Sequence, residues 1–165
     1  MKKVNLFFKF FVFTLFVLAI ATSCIKSEEP TTEYSASTET SQTNQWIQSM
    51  ITSGLNIDTT ATGIYYIVDK KGTGPTVKAG NTVTVKYASY LLDGTAIDYS
   101  DAYTFVHRNS TTPLIPGFNE ALDIMSKGEL AVFLIPSSKA YGITGYGAIP
   151  PYSALLYYIE VDDIK

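Results

Sequence analysis

Hydrophobic and polar residues alternate along much of the second half of the chain, as they do in half-buried β-strands. The clearest alternation runs from residue 82 to residue 92. The Asp93–Gly94 pair that follows is typical of a tight hairpin, and a return strand begins near Ile97. Shorter strands are predicted over residues 64–68, 103–106, 130–135 and 154–161.

Apolar residues at helical spacing predict two helices. The first lies in a short lead-in segment over residues 45–56 and presents Trp46, Ile47 and Met50 on one face. The second opens at Pro116 and is rich in apolar residues up to Met125. About five strands and one central helix, without βαβ alternation, predict an α+β domain over residues 63–165. Its antiparallel sheet must bury one face, and the central helix is expected to cover that face.

The N-terminal segment predicts export followed by anchoring. Two lysines precede an apolar run that is short for a membrane span and ends in small residues, which is typical of a signal peptide over residues 1–23. Cys24, the only cysteine, follows at once. The string Ala-Thr-Ser-Cys resembles the lipobox of bacterial lipoproteins, which implies that Cys24 is lipidated and anchors the mature chain to a membrane. The alternative is ordinary secretion with an incidental cysteine.

This lipoprotein pattern predicts a location in the bacterial cell envelope. The expected membrane is the outer membrane, with the domain facing the periplasm or the cell surface. Residues 24–44, which include the lipidated cysteine, are rich in Ser, Thr and Glu and nearly free of aliphatic residues, so a disordered linker is expected there.

Composition and charge narrow the possible partners. The chain has 165 residues, of which 46% are hydrophobic, enough for one packed domain. Without residues 1–23 it would lose three of its 12 basic residues and keep all 15 acidic ones. No basic cluster then remains, which excludes nucleic acid as a natural partner.

The residues that usually carry catalysis are sparse. His107 is the only histidine and has no neighbouring cysteine, so no zinc site is expected, and we expect it to be an exposed loop residue. No Gly-x-Ser-x-Gly nucleophile elbow occurs. The pattern therefore predicts neither metal nor nucleophilic catalysis. What the chain does have is an abundance of tyrosine, which suits half-buried strands and pocket walls.

Five short strings, in this order and at these separations, carry a family resemblance. They are Val85-Lys-Tyr87, Leu92-Asp-Gly-Thr-Ala-Ile-Asp98, Leu114-Ile-Pro-Gly-Phe118, Ala140-Tyr-Gly142 and Ile149-Pro-Pro151. From about Gly63 onward the chain resembles the FKBP-type peptidyl-prolyl cis-trans isomerases, in a bacterial lipoprotein form. The resemblance implies an antiparallel sheet wrapped around one helix, with a hydrophobic pocket between them.

The resemblance also implies a set of site residues. Phe118 would be the floor beneath a substrate proline ring, and the substrate-binding residues around it would be Tyr87, Ile97, Phe105, Leu114, Ile149 and Tyr157. The backbone N–H of Ile115 and the hydroxyl of Tyr141 would hold substrate carbonyls, and Asp98 would sit beside the twisting amide. The implied partners are proline-containing polypeptides, unfolded or newly exported. The implied chemistry needs no metal or cofactor.

Two departures from the family pattern keep other functions open. The family usually has an aromatic residue where Ile97 stands and a tryptophan where Phe118 stands, so this pocket is less aromatic and macrolide binding would be weak. The alternatives to an isomerase are a non-catalytic module that binds proline-containing peptides or acts as a chaperone, and a purely structural lipoprotein. Taken singly, the aromatic residues assigned to the pocket could also be core residues.

Overall fold

The computed structural model describes residues 34–111 and 113–165. The predicted signal peptide, Cys24 and the first part of the linker lie outside these residues. Within them the chain forms helix α1 (Ala36–Thr52), helix α2 (Pro116–Asp123) and one 3-10 turn (Ser137–Lys139). The strands are β1 (Asp58–Thr59), β2 (Tyr65–Lys70), β3 (Thr82–Leu91), β4 (Ala96–Val106), β5 (Leu130–Ile135) and β6 (Leu155–Ile164).

All six strands join one antiparallel sheet in the order β1-β2-β5-β6-β3-β4. Strand β6, the last along the chain, lies in the middle and pairs with both β5 and β3. The turn between β3 and β4 contains Gly94 at a φ of 89°, a conformation that glycine adopts without steric cost. The α+β fold class predicted from the sequence is confirmed.

The main core lies between one face of the sheet and helix α2. The helix buries Phe118, Ala121 and Leu122 against inward-facing strand residues such as Phe133 and Ile159. Successive side chains along a strand point to opposite faces of the sheet, so the neighbours of these inward-facing residues lie on the outer face. There a smaller cluster of Leu134, Ala154 and Leu156 is covered in part by Trp46 of α1.

Helix α1 begins nine residues earlier than the sequence predicted. Residues 36–44 were expected to belong to a disordered linker, yet they form the first half of the helix. The helix begins at the N-cap Ser35, whose side chain accepts a hydrogen bond from the Thr38 N–H. Tertiary contacts by Glu39 and Trp46 add to this cap. Neither α1 nor α2 is long and apolar enough to cross a membrane.

The prediction that His107 is an exposed loop residue is wrong. Its side chain is fully buried, and its Nε2 lies 2.8 Å from the Oδ1 of Asp123 at the end of α2. Arg108 donates to the same carboxylate, and the hydrogen bond to Asp123 offsets part of the cost of burying the imidazole. The return strand from Ile97 and the short strand over residues 103–106, predicted as separate elements, are one strand, β4, with an irregularity in its pairing with β3.

Candidate active site

A cavity of about 200 Å³ opens between the start of α2, strands β3, β4 and β6, and the loop after β5. Its lining combines aromatic and aliphatic side chains with a single carboxylate. The lining residues are Tyr87, Asp98, Tyr103, Pro113, Leu114, Ile115, Phe118, Tyr141 and Tyr157. A cavity lined by aromatic and aliphatic residues with a few polar groups among them is a common form of binding site for a small hydrophobic group.

Phe118 occupies the floor of this cavity, and only 3% of its surface is exposed. Its ring lies 5.7 Å from that of Tyr87 and 5.3 Å from that of Tyr157, centre to centre, both in edge-to-face geometry. The Phe105 ring packs against Phe118 from 6.2 Å. Aromatic pairs at these distances and angles are favourable and specific in orientation. The floor is therefore held in one position by its neighbours.

Helix α2 reaches this position because Gly117 lets it approach β5. A Cβ at Gly117 would lie 2.2 Å from the Cγ2 of Ile135. Pro116 occupies the first turn, where its missing N–H costs nothing. The sequence Pro-Gly-Phe thus starts the helix, brings it against the sheet and places Phe118 at the bottom of the cavity.

Asp98 is held at the rim by two hydrogen bonds. The Tyr87 hydroxyl donates to its Oδ2 at 2.6 Å, and the Tyr99 N–H donates to its Oδ1 at 2.8 Å. Burial and the bond to Asp98 raise the pKa of Tyr87 well above its ordinary value. The Tyr87 hydroxyl therefore remains a donor at neutral pH, and the carboxylate is fixed in orientation beside the cavity.

Two hydrogen-bond donors of lining residues have no partner among the described residues. They are the backbone N–H of Ile115 and the hydroxyl of Tyr141. The Tyr141 ring stacks on Tyr146 at 5.1 Å with 13° between the ring planes. Burial raises the pKa of Tyr141, with smaller contributions from Tyr146 and Asp98, so its hydroxyl is protonated at neutral pH. Neither donor is used in a hydrogen bond within the described part of the chain.

A family model described as FKBP-type peptidyl-prolyl cis-trans isomerase matches residues 74–162, more than half of the chain. The chain belongs to this family. Among curated relatives, an FkpA isomerase of Aeromonas hydrophila is 38% identical over 110 residues, and one of Escherichia coli K12 is 35% identical over 109. These matches cover 64% and 66% of this chain but only 39% and 40% of the relatives, so the chain spans about two fifths of their length.

Solved structures agree with this assignment. The crystal structure of FkpA from Escherichia coli superposes with a TM-score of 0.67 at 31% identity, covering 77% of this chain and 59% of that one. A peptidyl-prolyl isomerase of Pseudomonas syringae superposes with a TM-score of 0.62 at 28% identity, covering 76% of this chain and 95% of that one. The FKBP resemblance inferred from the sequence is confirmed at the level of family and fold.

The FKBP cavity brings together most of the residues singled out in the sequence. Tyr87, Asp98, Leu114, Ile115, Phe118, Tyr141 and Tyr157 all line it. Phe105, Ile97 and Ile149 are not among its lining residues and pack against the core around it instead. For Phe105 the reason is visible, because Tyr103 stacks on its ring at 5.0 Å and takes the lining position.

Tyr103 and Pro113 line the cavity but were not predicted. Tyr103 lies two residues before Phe105 on the same strand, so strand alternation alone would have placed both side chains on one face. Pro113 precedes Leu114 in the loop that enters α2. No pattern in that loop marks it as a lining residue.

Proposed function

We propose that this chain catalyses cis-trans isomerisation of peptide bonds that precede proline. The observation that carries the proposal is an aromatic cavity with two unpaired donors, from Ile115 and Tyr141, and one carboxylate, Asp98, at its rim. An aromatic floor of this size suits a proline ring, and the donors suit the carbonyls on either side of it. Membership of the FKBP family supports the same activity.

The chemistry requires only binding. The barrier to rotation, about 18–20 kcal/mol, comes from the partial double-bond character of the amide. Twisting the amide removes its resonance and reduces its charge separation. A dry apolar cavity therefore disfavours the planar ground state more than the twisted state, which lowers the barrier.

The polar groups then orient the substrate. In this proposal the Ile115 N–H and the Tyr141 hydroxyl each hold a substrate carbonyl, while Asp98 lies beside the rotating amide. The Tyr87 hydroxyl keeps that carboxylate in place. No covalent bond forms or breaks.

The proposal is tested by following isomerisation of a short X-Pro peptide with the full chain in mild detergent. Asp98→Val with Tyr141→Phe is expected to lower kcat/KM by roughly 100-fold, since each lost polar contact costs about 1.5 kcal/mol or more. A matched control is Asp101→Val with Tyr158→Phe, because both residues are exposed and absent from the cavity lining. A wild-type rate at background, or equal rates for the two double variants, would refute catalysis.

A second function, binding of proline-containing segments without turnover, is favoured by apolar side chains beside the lining residues. Tyr146, whose ring stacks on the lining residue Tyr141, is 69% exposed, and Ile143 in the same loop is 68% exposed. Large exposed apolar side chains next to a cavity suit an unfolded polypeptide. Tight binding of an unfolded proline-rich chain by a protein with no isomerase rate would establish this function instead.

The site of action is proposed from the N-terminal sequence alone. We propose that Cys24 is lipidated and holds the domain in the cell envelope, where newly exported chains would be its substrates. Incorporation of labelled palmitate that is lost in Cys24→Ser would support this. Protease treatment of intact cells then distinguishes surface display, which gives cleavage, from a periplasm-facing domain, which stays protected.

A further inference from the structure

A carboxylate of α1 binds the turn that leads to the candidate active site. Glu39, in the first turn of α1, accepts a hydrogen bond from the Ser137 N–H through Oε1 and another from the Ser137 hydroxyl through Oε2, each at 2.6 Å. Ser137 is 5% exposed and begins the 3-10 turn after β5. Hydrogen bonds to a carboxylate in such a position are among the stronger ones in proteins.

Ser137 in turn holds the backbone on both sides of Tyr141. Its carbonyl oxygen accepts hydrogen bonds from the Ala140 N–H at 2.9 Å and from the Gly142 N–H at 2.8 Å. Ser137 is thus held by Glu39 through its N–H and hydroxyl groups, and the Ser137 carbonyl holds the backbone on either side of Tyr141. A continuous chain of hydrogen bonds joins α1 to the two neighbours of Tyr141, a lining residue whose hydroxyl has no partner among the described residues.

The contact is made by a helix that is otherwise sparsely packed. None of the residues of α1 is fully buried, and Trp46 is the residue by which it packs against the cluster of Leu134, Ala154 and Leu156. Placing a carboxylate against a buried serine is costly unless it is fully hydrogen-bonded, and here both of its oxygens are used on one residue of the turn.

We propose that Glu39 is a positioning residue for Tyr141, acting through Ser137. This inference rests on the proposed isomerase function, because it assigns the effect to the Tyr141 hydroxyl. Loss of the carboxylate frees the Ser137 N–H and hydroxyl, loosens the turn and lets the Tyr141 hydroxyl move away from the position in which it meets a substrate carbonyl. Small misplacements of an orienting group have large effects on rate.

The kinetic test uses the full chain in mild detergent. Glu39→Ala is expected to lower kcat/KM for an X-Pro peptide by about tenfold, while Glu39→Gln, which keeps an acceptor for the Ser137 N–H, recovers part of the loss. In the Tyr141→Phe background Glu39→Ala is expected to have no further effect. Asn44→Ala, an exposed position on the same helix, is the matched control and is expected to leave the rate unchanged.

A second measurement does not depend on activity. Hydrogen exchange at the amides of Ala140 and Gly142 is expected to be about tenfold faster in Glu39→Ala than in the wild type or in Asn44→Ala. Ser137→Ala, which keeps the backbone hydrogen bond to Glu39, is expected to give an intermediate rate and serves if Glu39→Ala does not fold. If the wild type shows no isomerisation, the proposed function fails while the exchange rates still decide whether Glu39 orders the turn.

Two results would overturn the proposal. One is unchanged exchange at both amides in Glu39→Ala. The other is a loss of kcat/KM that is equally large in the Tyr141→Phe background, since Glu39 would then act through general stability and not through Tyr141.

Discussion

Replacing Gly117 by alanine tests whether close contact between α2 and β5 sets the floor of the cavity. The added methyl carbon would lie 2.2 Å from the Cγ2 of Ile135, whereas carbon atoms pack at about 3.5–4 Å, so one side must move by about 1.5 Å. Alanine is the better helix former by about 1 kcal/mol. Overpacking a filled core costs about 1–3 kcal/mol. Ile135 is fully buried, so the upper part of that range applies.

The net expectation is a free energy of unfolding lower by about 1–2 kcal/mol, the difference between overpacking and helix propensity. The isomerisation rate should also fall, because Phe118 is the next residue and forms the floor of the cavity. A shift of about 1 Å at a binding surface lowers a rate by up to roughly 100-fold, which is a larger effect in free energy than the expected loss of stability. Urea unfolding followed by circular dichroism gives the first quantity, and isomerisation of an X-Pro peptide gives the second.

The control for this prediction is a double-mutant cycle with Ile135→Ala, which removes the Cγ2 atom that the new methyl group would meet. Ile135→Ala alone is destabilising by about 2–5 kcal/mol because it leaves a cavity. The double variant should lose less stability than the sum of the two single losses, by about 1 kcal/mol or more. Strict additivity, or a Gly117→Ala variant as stable and active as the wild type, would refute the packing argument.

Three further predictions concern stability. Asp123→Asn should lower the free energy of unfolding by about 1–3 kcal/mol near neutral pH, because buried His107 loses its charged partner. Burial would raise the pKa of Asp123, but hydrogen bonds from Arg108 and His107 outweigh it and hold this pKa below its ordinary value. The stability of the wild type therefore falls as pH drops through that pKa. Between about pH 7 and pH 2, the urea midpoint should fall less steeply in Asp123→Asn than in the wild type. Burial raises the pKa of Tyr157 to about 12, so the stabilisation that its neutral form gives the folded state is lost as pH rises from about 10 toward that value. Tyr157→Phe, which cannot ionise, should show a smaller fall of the urea midpoint over the same pH range. Trp46→Ala should lower the free energy of unfolding by about 2 kcal/mol by exposing the cluster of Leu134, Ala154 and Leu156, as measured by urea unfolding followed by circular dichroism.

Much of the fold was predictable because its signals are local. Alternation along residues 82–92, the Asp93–Gly94 turn and the Pro116–Gly117 helix start each specify a backbone conformation without reference to distant residues. The ordered strings in the sequence then pointed to the cavity, since residues such as Tyr87 and Phe118 appear in the expected strand and helix.

What sequence reasoning missed depends on contacts between distant residues. A segment rich in Ser, Thr and Glu reads as linker by composition, yet residues 36–44 are helical, with Glu39 bound to a serine 98 residues away. His107 is buried because Asp123 lies beside it only after α2 docks. The lining position of Tyr103, in place of Phe105, depends in the same way on how the rings stack.

The central place of β6 has a consequence for when the protein can work. Strands β3 and β4 form one hairpin and β2 pairs with β5, and among the described strands these two halves of the sheet are joined through β6, which follows all the others along the chain. Tyr157, a wall of the cavity, also comes from that strand. A chain that lacks β6 therefore cannot assemble the cavity. Folding must form these long-range pairings, which makes it slow for a domain of this size, and until β6 has paired the domain lacks both its central strand and one wall of its cavity.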